Sequence, residues 1–135
     1  MSRPYALPIA ERSFPVVFAT HVARSASFYE ALGFESHFQL PSEGEPGYIG
    51  LRRGASEIAI VSAEWPEQQY RLHVGKGVRF EMFVYVDDVD RTVSQLRASG
   101  STVLREPADM AWGERVAYLS DPDGNPVAVA SRPVE

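Results

Sequence analysis

An α+β fold built from two copies of a βαβββ module is predicted by three features of this 135-residue chain. Strand-like and helix-like segments follow in the order strand, helix, three strands, and that order then repeats. A fixed offset of 67 carries Val22 onto Val89, Arg24 onto Arg91, Ser25 onto Thr92 and Gly33 onto Gly100. A content of 44% apolar and 23% charged residues is that of an ordinary globular core with a solvated surface. The expected architecture is a cup-shaped mixed sheet in one structural domain, 1–135. Residues 14–62 form the first module, 63–77 a polar linker and 78–131 the second module.

Residues 14–20 (FPVVFAT) are rich in Phe and Val and open the first module as a strand. Val22, Ala26, Phe28, Tyr29 and Leu32 then form a stripe at helical spacing. Gly33 stops that helix, because glycine enters the left-handed conformation without a steric cost. Residues 34–40, 48–53 and 58–62 are three short strands punctuated by Gly, Pro and Ser. Residues 78–86 (VRFEMFVYV) begin the second module as a strand. Val89, Val93 and Leu96 line its helix, which ends at Gly100, and Asp87, Asp88 and Asp90 suit the helix start. Residues 102–105, 115–120 and 126–130 supply the last three strands. DPDGN at 121–125 is explained by turn chemistry alone, since it lacks the spacing and closing Glu of a calcium loop.

Side chains alternate faces along a strand. Val78, Phe80, Met82, Val84 and Val86 make one apolar face, suited to lie under the helix. Glu81, Phe83 and Tyr85, with Arg79, make a mixed face suited to a wetted cavity. The offset places Phe14, Val16 and Phe18 at the matching positions of the first module. On the closing strands Ile58, Ile60, Val127 and Val129 are core. Glu57, Ala59 and Val61, and Pro126, Ala128 and Ala130, lie opposite. Aromatic opening strands and small closing strands leave volume for a flat organic molecule.

Several function classes are excluded. Zero Cys removes disulfides, thiolate metal sites and Cys nucleophiles. Of the 13 basic residues only Lys76 is not Arg, and they form no cluster that would grip nucleic acid. No apolar run is long enough for a membrane span, and the first residues lack the apolar stretch of a secretion signal, so a cytoplasmic protein is expected. No Ser/His/Asp order or Gly-rich phosphate loop stands out.

FPVVFATHVARSASFYEALGF, VYVDDVD and AWGERVAYLSDPDGNPV resemble the vicinal oxygen chelate superfamily, the glyoxalase, bleomycin-resistance protein and dioxygenase group. The resemblance spans residues 14–131 and implies paired βαβββ modules in a cup-shaped sheet, usually in homodimers. Metal-dependent members carry His or Glu on the first and last strand of each module. Those positions fall here at Phe14, Ala59, Glu81 and Ala128, of which only Glu81 is a ligand type. Glu57 adds a second carboxylate, but an open divalent site takes three or more protein ligands. His21, His37 and His73 lie outside those strands and share no ligand spacing. No metal or other cofactor is therefore expected.

Pro15 and the Trp112–Gly113 pair are similar to features of the metal-free bleomycin-resistance proteins. The resemblance implies a metal-independent, homodimeric binding protein that sequesters an aromatic natural product or antibiotic, with no catalytic residue assigned. Trp112, Phe38, Tyr48 and Trp65 would stack on the ligand. Phe14, Phe18, Phe83 and Tyr85 would line the cavity face, and Glu81 and Arg115 would orient the ligand. A net charge of −5 favours a cationic aromatic only weakly. The alternative is a glyoxalase- or dioxygenase-type lyase or oxygenase using Glu81 and metal ligands not yet placed. A third is a role in protein–protein contact through the dimer edge.

Overall fold

The computed structural model describes residues 9–132 of the chain, which falls into two compact units, Met1–Val74 and Gly75–Glu135. In the first, a 3-10 turn (Ile9–Glu11) precedes β1 (Val16–Ala19), α1 (Val22–Glu30), β2 (Glu35–Leu40), β3 (Tyr48–Arg53), β4 (Ser56–Ser62) and α2 (Trp65–Tyr70). The second contains β5 (Met82–Tyr85), α3 (Val89–Ala98), β6 (Thr102–Asp109), β7 (Arg115–Ser120) and β8 (Pro126–Ser131). Each unit has its own four-stranded sheet, ordered β1-β4-β3-β2 and β5-β8-β7-β6. In both, the opening strand runs parallel to the closing strand and the other neighbours are antiparallel. The fold is α+β with two βαβββ modules, as the repeat predicts.

The helices show why the offset was visible. α1 and α3 start at Val22 and Val89, and each buries its apolar stripe. Their exits use equivalent hydrogen bonds. The Gly33 amide donates to the Glu30 carbonyl and the Phe34 amide to that of Tyr29; the Gly100 amide donates to Arg97 and the Ser101 amide to Leu96. Gly33 and Gly100 take φ of 98° and 96°, which a side chain would oppose. The starts differ. Asp88 accepts the Arg91 amide at 3.1 Å as a side-chain cap of α3, whereas His21 at the start of α1 makes no such bond.

Four details depart from the sequence reading. β5 begins only at Met82, and Val78 is 70% exposed rather than core, because the segment before β5 has no strand partner. The linker holds α2, which places Trp65 on a helix whose first turn tolerates Pro66. β6 runs on to Asp109 through two register irregularities. The offset also grows in the last strand: β1 pairs Val16 with Ala59, while β5 pairs Phe83 with Ala128. The cause is a longer turn before β8. There the Asp121 side chain accepts the amides of Asp123 and Asn125 at 2.9 and 2.8 Å, and Gly124 has φ of 88°. Asn125, fully buried, accepts the Arg79 amide at 3.1 Å and so ties this turn to the approach to β5. Among the described residues no helix is long and apolar enough to cross a membrane.

Candidate functional site

A concavity of about 410 Å³ opens on the face of the first sheet that α1 does not cover. The β3–β4 register sets Tyr48 opposite Val61, Gly50 opposite Ala59 and Arg52 opposite Glu57, so all six share that face. On β2 the pairing passes from Ser36–Leu51 directly to Phe38–Gly50, which leaves His37 as the extra residue of a bulge. The bulge turns the imidazole over Gly50. A Cβ on Gly50 would lie 3.1 Å from His37 Nε2, so the missing side chain is what admits the ring. Phe38 and Tyr48 meet edge to face, with centroids 5.8 Å apart, and Phe14 adds a third aromatic to the lining.

The polar side of the concavity is an ion pair. Arg12 Nε and Nη2 donate to Glu57 Oε2 and Oε1 at 2.9 and 2.7 Å, a bidentate clamp on a carboxylate that is almost wholly buried. Burial holds the His37 imidazole below its ordinary pKa; the Arg52 and Arg12 guanidiniums act the same way and Glu57 opposes them. Burial likewise raises the Tyr48 phenol, with Arg12 opposing and Glu57 adding. At neutral pH the site therefore presents a neutral imidazole and a protonated phenol, one able to accept and both able to donate.

In the second unit Phe83 and Tyr85 stand on the exposed face of β5, with ring centroids 5.4 Å apart. Three donors meet on Glu114. Tyr85 Oη donates at 2.8 Å, Trp112 Nε1 at 2.9 Å and Arg132 Nε at 3.2 Å. The Tyr85 and Trp112 bonds, then Arg132, hold the Glu114 carboxyl below its usual range against some desolvation. Arg132 also lies over the Tyr85 ring, 5.4 Å from its centroid. This network fixes Trp112 as a platform that is 59% exposed.

The residues expected to form one site thus fall into separate places. Phe14, Phe38 and Tyr48 come together at the first concavity. Phe18 shares the face of β1 but is half-buried and lies outside that lining. Phe83, Tyr85 and Trp112 belong to the Glu114 network. Arg115 is engaged otherwise: it bonds both Asp90 oxygens at 2.7 and 2.9 Å and Asp109 at 3.1 Å, tying β7 to α3 and to β6. Those bonds raise its pKa further. Glu81 is exposed just before β5, with no ion pair among the described residues.

Among the described residues no three His, Cys, Asp or Glu side chains gather as a metal would need. The concavity offers His37 and Glu57, and Arg12 engages both Glu57 oxygens, so its donors do not fit a divalent ion. Sequence reasoning overlooked Arg12, His37, Gly50, Glu114 and Arg132. A glycine inside a strand, such as Gly50, signals a bulge or a close approach and pointed towards His37.

A family profile described as the Glyoxalase/Bleomycin resistance protein/Dioxygenase superfamily matches residues 13–129, and the chain belongs to that superfamily. CFP32 of Mycobacterium tuberculosis (strain CDC 1551 / Oshkosh), named as a candidate glyoxylase, is 31% identical over 99 residues, covering 73% of this chain and 35% of its own length. The chain thus spans about a third of the curated relatives it matches. A crystal structure of a glyoxalase/bleomycin resistance protein/dioxygenase family enzyme from Burkholderia phytofirmans PsJN superposes with a TM-score of 0.75 at 26% identity, over 88% of this chain and 96% of that one. Lactoylglutathione lyase from Agrobacterium tumefaciens shares the fold, with a TM-score of 0.66 at 20% identity over 93% and 96% of the two chains.

Proposed function

We propose that the protein is a metal-independent binder of a small planar aromatic molecule, in the manner of the antibiotic-sequestering branch of its superfamily. The first-unit concavity carries this reading. Its aromatic wall supplies stacking and apolar burial, and its ion-paired Arg12 and Glu57 leave no donor set for a metal. Its volume is in the range of small-ligand pockets. A homodimer, with Phe83, Tyr85 and Trp112 beside a ligand cleft, belongs to the same reading. The test is a thermal-shift screen against planar aromatic antibiotics on protein of measured metal content. Stabilisation by such a compound without bound metal is the expected result. A stoichiometric, tightly held ion together with no aromatic ligand would overturn it.

Relatives named for glyoxylase and lyase activity favour a second reading, an enzyme of glyoxalase or dioxygenase type. In that case turnover should be lost on Glu81→Gln, whereas a binder keeps its ligand or changes affinity only modestly.

A further inference from the structure

The charges around His37 are not balanced. The guanidiniums of Arg12 and Arg52 act on the imidazole against one carboxylate, Glu57, with the protonated Tyr48 phenol beside them. Arg52 and Glu57 are each only 8% exposed, so water screens them weakly. Glu35 stands opposite Arg52 across β2 and β3, but it is exposed and screened by solvent. Among the described residues the concavity therefore holds a surplus of positive charge inside an aromatic wall. The chain as a whole carries −5, so this local sign is opposite to the global one.

We infer that the first-unit concavity is selective for a planar aromatic acid, its rings against Phe14, Phe38 and Tyr48 and its carboxylate towards Arg12 and His37. This rests on the small-molecule reading above and narrows it, since net charge alone had weakly favoured a cation. A carboxylate supplies the negative charge that the site lacks, and charge-assisted hydrogen bonds to guanidinium, imidazole and phenol reward it over a neutral isostere. The imidazole gives the selection a pH signature. It is neutral at pH 7, and taking a proton as pH falls adds positive charge to the same wall, so an anion binds more tightly and a neutral ring system does not.

The probes are 2-naphthoate and its neutral isostere 2-naphthamide, compared by calorimetry on the full chain at about pH 7 and about pH 5.5, on either side of an imidazole's ordinary titration. Naphthoate should bind about tenfold more tightly than naphthamide at the higher pH, with a wider gap at the lower one. His37→Gln should flatten the pH response while keeping the anion preference. Gly50→Val, which fills the space over the sheet, should abolish binding of both probes. Equal affinity for acid and amide would overturn the anion inference and leave the aromatic site standing. Binding of neither probe would remove both. Undiminished naphthoate binding by Gly50→Val would place the ligand elsewhere and overturn the inference as well.

Discussion

Glu114 receives three donors on two oxygens, and what it holds in place is a tryptophan ring that water largely surrounds. An exposed aromatic with a free rotor pays entropy whenever it is ordered, so a fixed one is better prepared to stack. Glu114→Ala should therefore loosen Trp112 and raise acrylamide quenching of its emission; the chain's other tryptophan, Trp65, lies in the other unit. The pH dependence follows from the direction of the shift. A carboxyl held low in the fold stabilises above its unfolded value and loses that contribution as pH falls through its folded value. The stability difference between native protein and Glu114→Gln should thus be present at neutral pH and vanish in acid. His37 is lowered too, but as a base: the unfolded imidazole binds its proton first, so stability falls as pH drops through the ordinary histidine range and the loss levels off below the folded value. His37→Gln should flatten that segment of a pH–melting curve, and an unchanged slope would contradict the burial argument.

At the scale of elements, the two helices share an exit but not its surroundings. Arg53 Nε donates to the Leu32 carbonyl at 3.0 Å, covering the end of α1, and a Cβ on Gly33 would approach that nitrogen to 3.1 Å. Gly100 has open space around it. Alanine at either position meets the left-handed backbone and should cost about 1–2 kcal/mol. Gly33→Ala should cost more than Gly100→Ala, because it also pushes aside the Arg53 cap; urea denaturation of the two variants measures the difference. The same features explain what could be read beforehand. Helix stripes and their stop glycines are local and survive in any register, so both modules were visible at an offset of 67. The site was only half visible. Strand parity put Phe14 and Tyr48 near the cavity, but a bulge at His37 breaks parity, and Arg12 reaches Glu57 from 45 positions away by a contact no periodicity encodes. Arg115 seemed a ligand clamp because its two aspartate partners come from α3 and β6, distant in sequence.

At the scale of the molecule, duplication has produced two sheets of one plan with different chemistry. The first carries a polar concavity around a buried ion pair, and the second an aromatic and cationic surface held by one carboxylate. Phe83 and Tyr85 are each 42% exposed, and Trp112 59%, on a patch whose members touch or share Glu114. Contiguous aromatic surface of this kind is uncommon on a monomer and marks a place where something docks. A second copy is the occupant to expect, since closed two-fold pairs are the commonest assemblies and need only one self-complementary surface. Light scattering should then return twice the 15.0 kDa chain mass. Phe83→Asp, which puts a charge on the patch without touching the buried face of β5, should shift the protein towards the single-chain mass and make its melting temperature independent of concentration. A native mass equal to one chain would instead leave the patch to the ligand alone. Trp112→Ala would then weaken ligand binding with no change in assembly, which separates the two roles of the same ring.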